Sequence, residues 1–379
     1  MKKVVFVTRH DPSKICGGAF ATKAYLEAFV KLYPQRVTLF VSDSYTKDNH
    51  KYQPSEIIKV KNRAKIKGVI GLFIGKLTRF EFAVKKWLHN NKNNLELVIF
   101  DGSIIGGSHY DKFKKLNVKM VTIHHNYEVE YHLENKSIET FKGKCSFWIQ
   151  KLERKAYLNS NYNLFLTNTD KLLFETKFGK SNNFVTGCFE FEKNKINYQN
   201  LVIKSSNLNI VISGSLNTFQ TVDGIEWFLS KMYLKLKERY PKVNLTITGR
   251  SPSESLIKKC KKLNITLIAS PKDIKDVLNK NNIYICPTRL GGGLKLRIMD
   301  PLALGLPVLV QEKSYRGYEK IASSGLLVSF KDEDDFLERF DELYAKSLNT
   351  SVTKSKIKEL YLKEFSFESG VNKIKSIFH

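Results

Sequence analysis

The sequence has 379 residues, enough for two or three domains of ordinary size. Hydrophobic residues make up 42% of it, as in globular proteins, and no apolar run approaches the roughly 20 residues of a membrane-spanning helix. Its 63 Lys and Arg outnumber 37 Asp and Glu, so a net charge of +26 predicts an anionic partner: nucleic acid, an acidic membrane face or phosphorylated substrates.

Cysteine usage and the start of the chain bear on the compartment. The five cysteines are scattered and no two have the spacing of metal ligands: Cys16, Cys145, Cys188, Cys260 and Cys286. We therefore expect reduced thiols in a cytoplasmic protein and no metal site. Residues 1–3 (MKK) lead straight into an apolar run, so we also expect no signal peptide.

The first half of the chain alternates strands with helices, which is typical of a doubly wound parallel sheet. The predicted strands are Lys3–Thr8, Arg36–Ser42, Leu95–Phe100, Val118–His124 and Tyr162–Thr167, and the clearest helices are Ala19–Leu32 and Ser137–Asn159. Gly17 and Gly18 lie between the first strand and the first helix. Ligands of such sheets bind at the carboxyl ends of the strands, so polar residues there are candidate site residues.

The segment 59–88 is strongly basic, with nine Lys or Arg residues and one acid, Glu81. Apolar residues between 69 and 77 interleave with the basic ones, a pattern typical of a helix on an anionic membrane surface. The alternative is a core helix whose basic face is solvated. Nucleic-acid binding is a third interpretation, but no recognition motif supports it, so we expect no nucleic-acid partner.

The densest polar cluster is Ile123–Glu134, which begins at the end of a predicted strand. His124, Glu128 and His132 recur every four residues and would share one face of a helix, so a metal site is one interpretation, although no known metal motif flanks them. Asp101 also follows a predicted strand. We interpret it as a turn residue, with a place in the same cleft as the alternative.

Residues 188–207 are polar, rich in Lys and Asn, and predict a linker. The alternation then restarts, with strands at Asn209–Gly214, Val243–Gly249 and Ile265–Ile268 and helices at Val222–Arg239 and Lys272–Asn279. The second half is therefore predicted to be another parallel α/β domain.

A stretch of 26 residues, 286–311, has the sequence CPTRLGGGLKLRIMDPLALGLPVLVQ. It predicts a strand at Ile283–Pro287, a glycine loop at Gly291–Gly293, a helix that Gly305 ends, and a strand at Pro307–Val310. Backbone N–H groups of a glycine loop at a helix start can surround a phosphate.

Charged residues on this predicted helix also indicate a phosphate site. Lys295 and Arg297 put positive charge in the first turn, where the helix dipole disfavours it, which suggests a bound anion. Asp300 lies two turns in, within reach of a ligand at the helix start. The alternative is a turn whose glycines serve only close packing.

Residues 287–309 resemble the donor site of GT-B glycosyltransferases, specifically family-4-like enzymes, whose motif runs P…GGGxKx(K/R)xxEAxAxGxPVV. Two glutamates stand eight positions apart in many members. Here the first position is Gly292 and the second is Asp300, one methylene shorter. In the family this second acid holds the ribose hydroxyls of the donor.

The resemblance implies an α/β fold of GT-B architecture, with two Rossmann-like doubly wound parallel-sheet domains facing a central cleft. We expect an acceptor-binding domain over residues 1–190 and a linker over 191–207. A donor-binding domain then covers 208–364, and a C-terminal helix over 365–379 crosses back to the first domain.

The resemblance also implies roles for particular residues. His125, within the family-like run His125–Glu128 (HNYE), orients the reacting groups, with His124 as the alternative, and Lys295 and Asp300 complete the catalytic set. Pro271 lies where the base is read, and the loop after Gly214 lacks the cations that members often carry. The residues expected to bind the donor are Gly17, Gly18, Gly214, Ser215, Arg250, Pro271, Gly291, Gly292, Gly293, Leu294 and Arg297.

The implied activity is transfer of a sugar from a nucleotide-sugar, UDP-sugars favoured, to a glycan or polyprenyl-diphosphate-linked acceptor in bacterial surface polysaccharide synthesis, such as that of a capsule. We expect retention of configuration, no cofactor or metal, and a peripheral place on the inner membrane face through residues 59–88. The oligomeric state stays open. The alternatives are a nucleotide-sugar epimerase and a non-catalytic partner of an active glycosyltransferase.

Overall fold

The structure is a computed structural model, and it describes residues 1–14, 16–47, 51–61, 78–130, 146–191, 208–348 and 350–378. The chain divides into two units. The first unit comprises Met1–Asn194 and Phe365–His379, and the second comprises Lys195–Glu364. Each unit is built around one parallel sheet with helices on its faces.

The first sheet has seven strands in the order β3-β2-β1-β4-β5-β6-β7, and all neighbouring strands are parallel. The strands are β1 (Lys3–Thr8), β2 (Val37–Ser42), β3 (Glu56–Val60), β4 (Leu95–Asp101), β5 (Lys119–His124), β6 (Tyr162–Phe165) and β7 (Asn183–Val185). The helices of the first half are α1 (Gly17–Leu32), α2 (Thr78–Asn91), α3 (Ser103–Phe113), α4 (Ser146–Asn159) and α5 (Asn168–Phe178).

The second sheet has six strands in the order β10-β9-β8-β11-β12-β13, again all parallel. The strands are β8 (Leu208–Ser215), β9 (Val243–Arg250), β10 (Thr266–Ala269), β11 (Ile283–Cys286), β12 (Val308–Gln311) and β13 (Leu327–Phe330). The helices are α6 (Phe219–Lys231), α7 (Tyr233–Arg239), α8 (Glu254–Lys262), α9 (Ile274–Leu278), α10 (Met299–Ala303), α11 (Glu319–Ala322), α12 (Phe336–Ser347) and α13 (Thr350–Phe365). Helix α14 (Phe367–Phe378) belongs to the first unit.

The strands form a parallel sheet because their sequences are short apolar runs that helices bury on both faces. In β1, residues 4–8 (VVFVT) are all buried, and in β11 all four residues are. The amphipathic helices complete the core: α6 buries Ile225, Phe228 and Leu229 against its sheet. This burial is the main stabilising term in each unit.

Both sheets reverse their strand order once, and the reversal positions the candidate site. In the first sheet, β2 follows β1 on one side, whereas β4 lies on its other side. In the second sheet, β9 and β11 flank β8 in the same way. Helices diverge to opposite faces at such a point and leave a crevice at the strand carboxyl ends. Site residues are therefore expected after β1 and β4 and after β8 and β11.

Several predicted boundaries differ from the structure. Strands β3, β7 and β13 were missed, and the predicted helix Val222–Arg239 is two helices, α6 and α7. Much of the predicted linker, residues 192–207, lies outside the described residues, as do residues 62–77 of the basic segment and 137–145 of the predicted helix. Within the described parts of the chain, no helix is long and apolar enough to cross a membrane.

Candidate active site

Asp101 is the centre of a polar cluster at the switch point of the first sheet. It ends β4, pairs in register with Thr8 at the end of β1, and is completely buried. Its Oδ2 accepts hydrogen bonds from the hydroxyls of Thr8, at 2.6 Å, and Thr22, at 2.5 Å. Burial favours the neutral acid, but the neighbouring His125 overcomes it and lowers the pKa of Asp101 to about 2. Asp101 is therefore a buried carboxylate, and its interpretation as a turn residue is wrong.

His125 follows β5 and bonds directly to this carboxylate. Its Nε2 lies 2.6 Å from Oδ1 of Asp101, and its side chain is 12% exposed. A carboxylate can only accept, so Nε2 must carry the proton. In the neutral ring, Nδ1 is then the free acceptor nitrogen. Asp101 thus fixes both the orientation and the tautomer of His125.

His10, which sequence reasoning overlooked, connects this pair to the predicted glycine loop. Its ring lies 5.5 Å from that of His125, centroid to centroid. A Cβ at Gly18 would lie 2.7 Å from Cε1 of His10, so the glycine is needed for this close approach. Burial and the neighbouring His125 lower the pKa of His10 to about 4, which keeps it neutral at pH 7. The signal was available: Arg9 and His10 directly follow the first strand.

His124, the alternative to His125, is a core residue. It is fully buried, its ring is stacked on Phe165 at 4.6 Å, and its Nε2 lies 2.9 Å from Oδ1 of Asn163. His124 ends β5, whereas Glu128 lies on the helical segment that follows, so the two do not share a helix face. The metal interpretation fails on this geometry, and His132 lies outside the described residues. Among the described residues no group of three or more His, Cys, Asp or Glu could hold a metal ion.

Arg297 is the centre of the cluster at the switch point of the second sheet. Its Nη1 donates to the hydroxyl of Thr221, at 2.8 Å, and lies 3.4 Å from the hydroxyl of Thr288. A Cβ at Gly214, near the end of β8, would lie 2.6 Å from the same Nη1. The guanidinium is therefore pressed against the backbone of the β8 loop. In the described chain it has no ion pair with a carboxylate, so its charge is available to an anionic ligand.

The glycine loop lies beside Arg297 but is shaped differently from the prediction. The ammonium of Lys295 is buried and donates to the carbonyl oxygens of Gly291 and Gly292, the latter at 3.1 Å. Lys295 thus closes the loop on itself. Gly291 has a φ of 84°, and a Cβ there would lie 2.2 Å from Nε2 of Gln220 on α6, so the loop packs closely against that helix.

The helix begins later than predicted. Leu296–Ile298 form one 3₁₀ turn, and α10 starts at Met299. Pro301 explains the shift, because a helix started at the glycines would place this proline in its interior, where it lacks the N–H and clashes with the preceding turn. Asp300 therefore lies in the first turn of α10, not two turns in.

Comparison with known proteins supports the interpretation of the second unit as a domain similar to those of glycosyltransferases. Residues 207–346 match the model of the family described as glycosyl transferases group 1. The solved structure of sucrose-phosphate synthase from Thermosynechococcus elongatus superposes with a TM-score of 0.72 over 100% of this chain and 98% of its own, at 12% identity. The chain has the fold of GT-B glycosyltransferases, and its second unit matches their group 1 family. The predicted fold and the predicted resemblance to this family are thereby confirmed.

Two further proteins are similar to this chain. A structure of Anabaena HepE in complex with UDP has a TM-score of 0.66, covers 99% of both chains and is 11% identical. An uncharacterized 44.6 kDa protein in the cps region of Klebsiella pneumoniae is 27% identical over 64% of this chain. The matches span only 40% and 62% of the lengths of the curated relatives found.

Apart from Gly17, at the start of α1 in the first unit, the remaining predicted donor residues lie at the same edge of the second sheet. Ser215 pairs in register with Arg250, directly beside Gly214. Gly293 has a φ of 72° and closes the loop, and Leu294 is half-buried. Pro271 follows β10, two strands from β8, and is therefore the predicted residue farthest along the sheet from Arg297. Gly292 and Gly17 are half-buried and exposed, respectively.

Proposed function

We propose that the chain transfers a sugar from a nucleotide-diphosphate sugar to a hydroxyl group of a glycan or polyprenyl-diphosphate-linked acceptor. The observation that carries this proposal is the Arg297 guanidinium, half-buried against Gly214 with hydroxyl partners from Thr221 and Thr288. A planar guanidinium with free N–H groups suits phosphate oxygens, and a glycine beside it lets the diphosphate approach the backbone.

The chemical difficulty of the reaction is the charge on the leaving group. As the bond from the anomeric carbon to the phosphate oxygen breaks, the diphosphate gains negative charge and the sugar becomes oxocarbenium-like. In this proposal Arg297 stabilises that charge, together with backbone amides of the loop at Gly291–Gly293 and the neighbouring Lys295. Asp300 binds the ribose hydroxyls. The proposal needs no metal ion, because these groups supply the positive charge.

His125 serves the sugar side of the reaction. With Nε2–H directed at Asp101, its Nδ1 can accept a hydrogen bond from a substrate hydroxyl. We therefore assign His125 the role of orienting the reacting groups, and we extend the proposal to retention of configuration, as the family-4 resemblance implies.

The donor base and the biological setting are supported by similar proteins. HepE has been solved in complex with UDP and with UDP-glucose, which favours UDP as the leaving nucleotide here. The Klebsiella relative in a cps region favours a role in capsule or other surface polysaccharide synthesis. The net charge of +26 favours an anionic acceptor or a membrane surface that carries it, which makes a peripheral membrane protein part of the proposal.

Thermal unfolding with added nucleotides tests the donor site. The wild type is measured with UDP, GDP, dTDP and CMP, with and without EDTA, and beside Arg297→Ala. We expect UDP to stabilise the wild type by about 2.7 kcal/mol at 100 times its dissociation constant, regardless of EDTA. Arg297→Ala should weaken UDP binding by at least about tenfold, since a charge-assisted pair contributes about 1.5–3 kcal/mol.

A matched control separates this effect from general loss of positive charge. Arg239 lies on α7 of the same unit in an exposed ion pair with Asp341, so Arg239→Ala should bind UDP as the wild type does. Equal losses in both variants would remove Arg297 from the proposed site. If no nucleotide shifts the wild type, a non-catalytic partner of another glycosyltransferase becomes the better interpretation.

A further inference from the structure

Glu153 is a buried acid that the proposed reaction does not use. It lies on α4 and is completely buried. Its Oε1 accepts two hydrogen bonds, from the hydroxyl of Ser103, at 2.9 Å, and from the backbone N–H of Glu128, at 3.0 Å. Ser103 lies two residues after Asp101, and Glu128 lies three residues after His125. One carboxyl group therefore connects the two segments that carry the Asp101–His125 pair.

The place of Glu153 is fixed by unusually close helix packing. A Cβ at Gly107 of α3 would lie 2.1 Å from the backbone oxygen of Leu152, the residue before Glu153. A Cβ at Gly106 would lie 3.0 Å from that of Ala156, one turn further along α4. Because both contacts involve residues that cannot move aside easily, α4 holds Glu153 against α3 in one position.

The same network extends to the end of β1. Oε1 of Glu128 forms an ion pair with Nη2 of Arg9, at 2.6 Å, and the Glu128 side chain is only 6% exposed. Arg9 lies between Thr8, which donates to Asp101, and His10, which contacts Gly18 and His125. The network thus involves the segments that follow β1, β4 and β5, the three strands that supply the Asp101 cluster. Its members are Glu153, Glu128 and Arg9.

Two observations indicate that Glu153 holds a proton at neutral pH. Its Oε2 is buried and has no hydrogen-bond partner among the described residues. Burial, followed by the nearby charge of Glu128, raises the pKa of Glu153 to about 8. Among the described residues, the titratable and charged groups facing it are Glu128, Arg9 and Tyr127, and Arg9 is already paired with Glu128.

We propose that Glu153, in its protonated form, is a positioning residue that holds the segments after β4 and β5 so that His125 faces its substrate correctly. This inference rests on the proposed role of His125. Loss of the proton adds a second buried negative charge beside Glu128, whose ion pair already engages Arg9. The Ser103 and Glu128 segments then shift, and the environment of His125 changes with them.

Histidine ring NMR tests the coupling without any substrate. Ring ¹H–¹³C spectra are recorded from pH 6 to 9.5, with the His125 signal assigned from His125→Gln. We expect the wild-type His125 signal to show an inflection near pH 8, and Glu153→Gln to lack it, since the amide keeps the acceptor oxygen but cannot ionise. Glu175→Gln, which alters an acid of α5 that bonds Asn183, should keep the inflection.

Turnover supplies the second arm. The wild type should lose at least half of its kcat between pH 7 and 9 with the donor KM unchanged, and Glu153→Gln should keep its kcat. If the inflection persists in Glu153→Gln, or the wild type has none, the inference is overturned. If the wild type turns over no nucleotide-sugar, the proposed function fails. The NMR experiment still decides whether Glu153 positions His125, because it needs no substrate.

Discussion

His124 and His125 are adjacent, yet their surroundings give them opposite roles. The ring of His124 points into an aromatic cluster that includes Tyr157, Phe165 and Phe174, whereas His125 turns to Asp101. Burial lowers the pKa of His124 to about 4, so the residue stays neutral inside the core. His124 is the last residue of β5 and His125 is the first residue after it, and successive side chains of an extended chain point to opposite faces.

The neutral His124 predicts how stability depends on pH. Between pH 6.5 and about 4 the unfolded chain binds a proton at this residue and the native protein does not, so stability falls as the pH falls through this window. His124→Phe keeps the ring packing and removes the titration. We expect its free energy of unfolding to decline less steeply between pH 6.5 and 4, by about 1.4 kcal/mol per pH unit at most.

Urea unfolding at several pH values measures this difference. The substitution also costs the hydrogen bond to Asn163, so the slope with pH, and not the absolute stability, carries the result. His89→Phe on the exposed side of α2 is the matched control and should leave the slope unchanged. A parallel decline in wild type and His124→Phe would contradict the assignment.

The site could be predicted from the sequence only where the resemblance to a known family identifies the residues. Gly214 and Arg297 were predicted from the motif, and the structure brings them into contact. His10 and Thr22 were missed because their place beside Asp101 depends on strand order, which no local pattern specifies. Asp101 was misread for the same reason, since a buried carboxylate and a turn residue look alike until its partners are known.

At the scale of elements, the pattern of apolar runs predicted the strands well and the helix ends less well. Buried strands such as β1 and β11 are easily recognised because they are short apolar runs. Strand β7 has three residues and no fully buried one, so it carries too little apolar pattern to be recognised. The late start of α10 could have been predicted from Pro301, which disfavours a helix beginning at the glycine loop.

The packing of α3 on α4 gives a prediction at this scale. Gly107→Ala would place a methyl group 2.1 Å from the backbone oxygen of Leu152, and backbone cannot be displaced as a flexible side chain can. We expect a loss of about 3 kcal/mol or more in the free energy of unfolding, at the upper end for overpacked cores. Leu158→Ala on the exposed side of α4, where Leu158 is 44% exposed, should cost much less.

Chemical denaturation of both variants gives the comparison. Because α4 also carries Glu153, Gly107→Ala should additionally disturb the His125 ring signal at neutral pH. A Gly107→Ala protein as stable as Leu158→Ala would mean that the two helices separate at little cost, and Glu153 could not then be held in one place.

At the scale of the whole molecule, the two units repeat one design. Each has a parallel sheet with a single reversal, and at each reversal a polar side chain packs against a glycine: His10 against Gly18 in the first, Arg297 against Gly214 in the second. The first unit presents a carboxylate and imidazoles, which suit hydroxyl groups, and the second presents cations, which suit phosphate. This difference in chemistry supports the proposal that the first unit binds the acceptor and the second unit binds the donor.

The net charge of +26 supports the prediction that the basic segment 59–88 binds an anionic membrane surface. Helix α2 is the helix of this segment that the structure describes. Helix α2 buries Phe80, Val84, Trp87 and Leu88 in the core, as the alternative of a core helix with a solvated basic face requires. Its outer side still exposes Lys85 and Lys86 beside Phe82, which is 66% exposed. A cationic surface with an exposed aromatic ring suits an anionic lipid headgroup layer.

Vesicle flotation with and without phosphatidylglycerol measures this binding. We expect the wild type to float only with anionic vesicles, and Lys85→Glu/Lys86→Glu to partition at least about tenfold less, since each basic residue contributes about 1 kcal/mol at such a surface. Lys261→Glu/Lys262→Glu on the exposed side of α8 lowers the net charge equally, from +26 to +22, and should float nearly as the wild type does. Equal losses in both variants would mean that overall charge, and not this helix, governs the interaction. A wild type that floats equally well with and without phosphatidylglycerol would contradict the membrane prediction and favour a water-soluble acceptor.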